Sequence, residues 1–285
     1  MRTLVLSVIN LTLPEPHEPQ RYIAAMHRAV AKRRVVKIRG DFAGMIGSLR
    51  ADENDPTILH GELYKFMDLQ AERGWFDLRQ RRPADPNDLA AIQIPDHLRP
   101  HFQFLPFVFY ASCHRLVMIS RDGEDAITPK QAAHVLQGAL KAAGEQPELT
   151  VEPQREVLDE ILAMPRLRKL KLQIVPPNPD GLAEAERQLL QEMRNQNAQR
   201  LQIELDTRDA DGLRPDERTQ TLARIAQSNG KVVAKGGEHG QTHTVSTADH
   251  PLEDKVAYDP DAELRQAVFL DRARDLLVRL RILRG

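Results

Sequence analysis

The sequence predicts a mixed α+β protein made of two halves, each an antiparallel sheet with helices on one face. Alternating apolar residues, as in Leu4–Leu13, are typical of strands with a buried face. Apolar residues at intervals of three to four, as in Ala262–Leu283, are typical of amphipathic helices. Each half holds strands together with helices that can lie on one face of an antiparallel sheet, which is typical of a mixed α+β fold.

The first half, residues 1–144, is predicted to form one α+β domain. Its elements are a strand, a helix, a meander of three strands, two adjacent strands and a second helix: Leu4–Leu13, Gln20–Arg33, Val35–Arg39, Gly44–Arg50, Ile58–Phe66, Phe102–Tyr110, Arg115–Ser120 and Thr128–Ala143. The meander is rich in glycine, which indicates a bulge or a close approach of another group to its backbone.

The second half, residues 148–285, is predicted to begin after the polar stretch Lys141–Pro147. Its best-defined element is a strand over Arg166–Val175. The apolar residues of that strand alternate with Lys169 and Lys171, so the two lysines point away from the core. A helix, a strand, a second helix, a hairpin and the terminal helix follow. This order is compatible with a ferredoxin-like layer, an inference about the fold that carries none about function.

Composition bounds the class of protein. The chain has 285 residues, 41% hydrophobic and 28% charged, with a formal net charge of −1, so any affinity for nucleic acid must come from local patches. The single cysteine, Cys113, excludes an internal disulfide and a cysteine-based zinc cluster, and it fits a reducing cytoplasm. We expect no cofactor. No apolar run approaches the roughly 18–20 residues of a membrane span, and the first strand is read as buried rather than as an export signal.

The first candidate site is a run of cations that spans the end of the first helix and the next strand. No acidic residue interrupts it. Such a stripe is typical of phosphate binding with salt-dependent affinity, although cations near a helix C-terminus are also favoured by its dipole. The predicted binders are Arg28, Lys32, Arg33, Arg34, Lys37 and Arg39.

The second candidate site combines the strand lysines with arginines on the long helix after them. That helix also carries a run of amide side chains, and amides and guanidinium groups bind phosphates and base edges. The same residues are equally typical of an ordinary exposed helix. The predicted binders are Arg166, Arg168, Lys169, Lys171, Arg194 and Arg200.

Two weaker patterns suggest catalysis. Glu62 lies in the middle of a predicted strand beside Gly61, with Asp41 as a candidate neighbour across the meander, and paired carboxylates can hold catalytic metal ions. A histidine-rich hairpin offers a further metal hypothesis, with a polar turn as the simpler interpretation. Its candidate ligands are His239, His243, Asp249 and His250. Signature motifs of nucleotide-binding loops, serine hydrolases and zinc proteases are absent from the sequence.

Several segments stand out as a set: VKIRGDFAGMIGSL, HGELYKF, IPDHLRP, FVFYASCHRLVM, LAMPRLRKLKLQIVPPNPD, LLQEMRNQNAQRL and STADHPL. Together they resemble an uncharacterised family of bacterial proteins known only as a domain of unknown function. The resemblance extends from Leu4 to about Tyr258, nearly the whole chain. It supplies no catalytic residues, and it implies an association with phage-defence genes.

The leading hypothesis is a cytoplasmic bacterial protein that binds DNA, RNA or a nucleic-acid-handling protein in defence against phage. One alternative is a metal-dependent nuclease or hydrolase that uses Glu62 with Asp41, or the histidine hairpin. Another is a structural subunit that forms a homodimer through the terminal helix, Ala262–Leu283. No membrane association is expected.

Overall fold

Two antiparallel sheets and the helices packed on them account for most of the described chain. The computed structural model describes residues 1–69, 75–85, 87, 95, 97–177, 183–237, 242–280 and 282. The mixed α+β fold predicted from the sequence is confirmed.

The described strands and helices follow each other irregularly along the chain. The strands are β1 (Arg2–Thr12), β2 (Val36–Arg39), β3 (Phe42–Ala51), β4 (Ile58–Met67), β5 (Phe76–Asp77), β6 (Arg82–Pro83), β7 (Gln103–Tyr110), β8 (Arg115–Asp122), β9 (Asp125–Ala126), β10 (Glu148–Val151), β11 (Lys169–Ile174), β12 (Leu201–Asp206), β13 (Gly230–Gly236), β14 (His243–Ser246) and β15 (Asp254–Tyr258). The helices are α1 (Pro19–Ala31), α2 (Pro129–Ala142), α3 (Glu156–Leu162), α4 (Glu184–Asn195), α5 (Glu217–Ser228) and α6 (Arg265–Arg279).

The larger sheet has nine strands, with the path β10–β1–β8–β7–β4–β3–β2 and with β15 on β1 and β9 on β8. Strand β1 is central because Leu4 to Thr12 are all buried. One side of β1 pairs with β15 near its start and with β10 near its end. Strands from both sides of the predicted boundary at 144–148 therefore share this sheet, while the independent folding of the two halves stays a prediction.

Helices cover both faces of the larger sheet. On one face, Tyr22 of α1 stacks on Phe109 at 6.4 Å between ring centroids, and a Cβ added to Gly44 would lie 3.0 Å from Val135 of α2. On the opposite face, Phe269 of α6 lines a groove together with Glu62. We call these the α1/α2 face and the α6 face.

The smaller sheet has the order β12–β11–β13–β14, and all its pairs are antiparallel. Its core lies on one face, where Leu170 and Leu172 of β11 cluster with Leu189 of α4 and with residues of α3 and α5. Strands β12 and β13 flank β11 and are joined through α5, which makes one split β-α-β unit. A complete ferredoxin-like layer contains two such units. The structure lacks the second one among its described residues because β10 pairs with β1 instead.

A buried polar network joins the two sheets. The Arg115 guanidinium donates to Glu152 Oε1 at 3.0 Å and to Asn10 Oδ1 at 2.5 Å. Asn10 Nδ2 in turn donates to the Ser228 carbonyl at 3.0 Å and to Asn229 Oδ1 at 3.1 Å, at the end of α5. Burial raises the pKa of Glu152, and the charge of Arg115 opposes that rise. The network satisfies charges that would be costly to bury alone.

Helix α6 buries its apolar stripe within its own chain. Phe269, Ala273, Leu276 and Leu277 are at most 2% exposed and belong to the core of the larger sheet. A homodimer through this stripe, as the sequence suggested, would require the helix to leave that core. No helix in the described ranges combines the length and apolar character that a membrane crossing requires.

Candidate nucleic-acid interface

The first predicted run of cations is exposed at the edge of the larger sheet. We call Lys32, Arg33, Arg34, Lys37 and Arg39 the edge cluster; all five are exposed. None of the five forms an ion pair with another residue in the described ranges. Arg28, the sixth predicted binder, differs, because it lies 2.5 Å from Glu145, which also pairs with Arg21 at 3.1 Å. The edge cluster therefore presents five positive charges to solvent.

The local backbone explains this placement. Helix α1 ends at a cap on Lys32, and Arg33 follows in the left-handed region with φ of 47°. The chain then enters β2, which among the described strands pairs with β3 alone and so forms an edge of the described sheet. Val36 is paired with Gly44 on the α1/α2 face, so Lys37, the next residue along the strand, points to the α6 face.

Two exposed aromatic rings lie on the same face as Lys37. Phe104 is 39% exposed and pairs with Tyr64, which lies two residues from Glu62 and so shares the α6 face. Phe102 is 57% exposed and meets the Tyr64 ring edge-on at 5.2 Å between centroids. The apolar alternation predicted a strand here but not that these rings lie exposed. The two rings are exposed because α6 covers only part of its face of the sheet.

A shallow cleft of about 310 Å³ adjoins the edge cluster. Arg34 and Lys37 line it together with two acids, Asp41 and Asp68. Asp68 is engaged by Arg99 at 2.7 Å. The charge at the cleft is therefore mixed, whereas the remainder of the edge cluster is purely basic.

Most cations of the second predicted run are engaged by a partner within the chain. Glu204 on β12 lies 2.5 Å from Lys169 and 3.6 Å from Lys171. The hydrogen bond from Lys169 lowers the pKa of Glu204, and the same bond raises the pKa of Lys169. Arg168 donates to the Asp209 carbonyl, which holds a loop, and Arg166 is exposed in a left-handed turn with φ of 51°.

Arg194 and Arg200 lie apart from those lysines, and only Arg194 is on a helix, because α4 ends at Asn195. Arg194 pairs with Glu15 at 2.5 Å and Arg200 with Glu148 at 3.4 Å. Helix α4 packs on the core face of the smaller sheet, opposite Lys169 and Lys171. The combined surface that the sequence suggested is therefore not formed. The open face instead carries two lysines of β13 that sequence reasoning missed, Lys231 and Lys235, which the strand register places beside β11.

The predicted pair of Glu62 with Asp41 is wrong because of the sheet register. The Asp41 carbonyl accepts from the Asp68 amide at 2.7 Å, which places Asp41 beside the end of β4. Glu62 lies six residues earlier in the chain, roughly 20 Å away along an extended strand. These two carboxylates cannot share a metal ion.

Glu62 instead lines a groove of about 190 Å³ between α6 and strands β3, β4 and β7. Its carboxylate accepts from the Tyr64 hydroxyl at 2.8 Å, and burial followed by this bond raises the pKa of Tyr64. His60, two residues earlier, lies with Nε2 2.8 Å from Asp52, and that bond lowers the pKa of Asp52. Arg50 and Arg265 line the same groove.

The meander glycines explain how the Tyr64 ring and a second ring, that of Phe107, fit beside these strands. A Cβ at Gly47 would lie 2.1 Å from the Tyr64 ring, and one at Gly61 would lie 2.3 Å from the Phe107 ring. Each glycine therefore makes room for an aromatic ring across the strand. The close approach that the glycine-rich sequence indicated is confirmed.

The histidine hairpin is only partly described. His239 lies outside the described residues, His243 is exposed, and Asp249 pairs with Lys130 at 2.7 Å. Across the described ranges, no group of three or more histidine, cysteine, aspartate and glutamate side chains is arranged to hold a metal ion.

Comparison with known proteins agrees with the resemblance seen in the sequence. No curated protein matches the chain. A family model described as a domain of unknown function, DUF4747, matches residues 2–274. Because the match covers nearly all of the 285 residues, the chain belongs to the DUF4747 family.

Proposed function

We propose that the protein binds single-stranded nucleic acid across the α6 face of the larger sheet, next to the edge cluster. The observation that carries this proposal is the combination of five cations without described ion pairs and two exposed aromatic rings on the same sheet, with β3 and β4 between them. A cytoplasmic role in defence against phage rests on the family resemblance alone. It is the setting in which such binding would act.

The two kinds of side chain would have different tasks. Cations displace counterions from the phosphate backbone, and each phosphate contact contributes a slope of roughly −0.7 to the dependence of log K on log salt for a single strand. Exposed aromatic rings stack on bases, with roughly 1–3 kcal/mol per base. Phe102 and Phe104 are exposed and can offer such stacking, Phe104 with Arg265 of α6 5.2 Å from its ring centre. Lys37 lies on the same face.

A titration of fluorescent single-stranded RNA and DNA, followed by anisotropy, tests the proposal. Wild-type protein is compared with Arg33→Gln/Arg34→Gln and with Lys169→Gln/Lys171→Gln, which also removes two positive charges. We expect the first variant to weaken binding roughly tenfold at low salt and to flatten the salt slope by about 1.4. The second variant should change affinity by less than about twofold, because both of its lysines are already paired with Glu204.

Absence of binding at low salt would refute the proposal. Equal losses in the two variants would also contradict it, because the edge cluster would then have no special role. Melting curves of both variants show whether any loss reflects unfolding instead.

A further inference from the structure

We infer that the groove beside α6 is a ribonuclease site, in which Glu62 is the general base and His60 the general acid for cleavage of an RNA strand. The substrate class rests on the proposed binding of single-stranded nucleic acid. The acid–base pair itself is an independent observation, because neither residue belongs to the edge cluster or to the exposed rings.

The acid and the base lie on one strand and one face. Glu62 and His60 are two residues apart on β4, so their side chains project to the same side with a backbone separation of roughly 7 Å. This spacing leaves room for a phosphodiester between them. Both side chains line the same groove of about 190 Å³, large enough for one phosphate and its ribose but not for a long ligand.

Each of the two groups is held by a neighbour. The Tyr64 hydroxyl donates to Glu62 Oε2 at 2.8 Å, which fixes the carboxylate. Asp52 Oδ2 lies 2.8 Å from His60 Nε2, which orients the imidazole. Nδ1 is therefore the ring nitrogen that remains for proton transfer. The His60 side chain is 13% exposed, so the ring is largely shielded from bulk water.

Two arginines supply positive charge at the groove. Arg50 is paired with His60 across β3 and β4, so its side chain lies on the same face, and it is exposed. Arg265 projects from α6, with its guanidinium 5.2 Å from the centre of the Phe104 ring and Nε 2.6 Å from Asp122. Arg50 has no ion pair among the described residues and is the better placed of the two to bind the phosphate oxygens.

The proposed cleavage of RNA needs no co-reactant. Glu62 removes the proton of the ribose 2′-hydroxyl, and O2′ attacks the adjacent phosphorus. The bond from phosphorus to O5′ breaks, and the leaving O5′ takes the proton from His60 Nδ1. The products are a 2′,3′-cyclic phosphate and a 5′-hydroxyl end, and solvent then returns the proton from Glu62 to His60. The nucleophile lies within the substrate, so the substrate is RNA and not DNA.

The groove and the edge cluster can be reached by one strand. Lys37 is paired with Ala43, and Ala43 with Phe66, so these three residues form one row on the α6 face, of which Lys37 is exposed and the other two are buried. Glu62 lies four residues from Phe66 along β4, a separation of roughly 13 Å. Phe102 and Phe104 border the path between them.

To test this inference, purified protein is incubated in EDTA with each of three end-labelled substrates. They are RNA, DNA of the same sequence and fully 2′-O-methylated RNA. We expect cleavage of RNA alone, with 2′,3′-cyclic phosphate ends. Glu62→Gln and His60→Gln should each lower the rate at least about a hundredfold. The matched controls Glu192→Gln and His27→Gln replace exposed residues away from the groove and should cleave at the wild-type rate.

Binding and melting are measured on the same variants. A rate loss in Glu62→Gln with unchanged RNA affinity and melting temperature supports the inference. RNA that is bound but stays intact would refute the ribonuclease site and leave the proposed binding standing. Cleavage that persists in both groove variants would refute it too. Cleavage that needs the groove but is indifferent to Arg33→Gln/Arg34→Gln would refute the proposed binding surface instead.

Discussion

The edge of the larger sheet and the open face of the smaller sheet both carry clustered cations, but the predicted binders in the two regions differ in their ion pairs. In the edge cluster, five exposed cations have no ion pair among the described residues. On the open face of the smaller sheet, Glu204 pairs with both Lys169 and Lys171, whereas Lys231 and Lys235 have no ion pair among the described residues. The comparison teaches that the number of cations in a stretch of sequence does not measure the charge available to a ligand.

Sheet register is the cause of the difference. Lys171 is paired with Glu204 and Lys169 with Asp206, and directly paired residues of antiparallel strands have Cβ atoms roughly 4.5–5.5 Å apart. Strand β2 is paired with β3 over Phe42, Ala43 and Gly44, none of which is acidic. Strand β12 thus places acidic residues beside the lysines of β11, whereas β3 places small or apolar residues beside the cations of β2.

The two regions also differ in exposed aromatic rings, and this gives the largest expected effect. Phe102→Ala should weaken binding of single-stranded RNA by roughly 1–3 kcal/mol, because a base loses its stacking partner. Phe76→Ala is the matched control, since Phe76 is 61% exposed on the short β5–β6 hairpin. Anisotropy titrations of both variants measure the difference. A loss of the same size for Phe76→Ala would show that RNA binding does not depend on the position of the exposed ring.

Local periodicity explains what the sequence could predict. The first strand was predicted over Leu4–Leu13 and is found at Arg2–Thr12, and the terminal helix was predicted over Ala262–Leu283 and begins at Arg265. The alternation in β11 also holds, with Leu170, Leu172 and Ile174 fully buried and the lysines on the other face. These features depend on residues close together in the chain, where burial imposes a period of two or 3.6.

Partners distant in sequence could not be predicted. No local pattern shows that Arg115 meets Glu152 and Asn10, or that Glu204 faces the lysines of β11. The pairing of Asp41 with Glu62 failed for the same reason, since the offset between adjacent strands decides which side chains meet. The groove site combines strands β3, β4 and β7 with α6. Its only sequence signal was an acid in mid-strand, Glu62.

Each of the two basic surfaces includes one arginine with a left-handed backbone conformation. These two arginines allow the same substitution to be compared in both surfaces. Arg33 has φ of 47° and Arg166 has φ of 51°. Asparagine tolerates this conformation better, so Arg33→Asn and Arg166→Asn should each raise the free energy of unfolding by roughly 0.5–1 kcal/mol. Only Arg33→Asn should also weaken RNA binding. Chemical denaturation and anisotropy measure the two effects, and a parallel loss of affinity in Arg166→Asn would place both regions in one binding surface.

Removing the neutralising acid should make the two regions more alike. Glu204→Gln deletes the carboxylate that holds Lys169 and Lys171, so both lysines become available to phosphates. RNA affinity at low salt should rise roughly threefold, and the gain should vanish at high salt because exposed charges are screened. The control Glu192→Gln also removes one exposed negative charge, from a pair with Arg218 at 3.9 Å, and should change affinity little. A gain of tenfold or more in Glu204→Gln would reverse the comparison, because the smaller sheet would then be a binding surface held inactive by its own carboxylate.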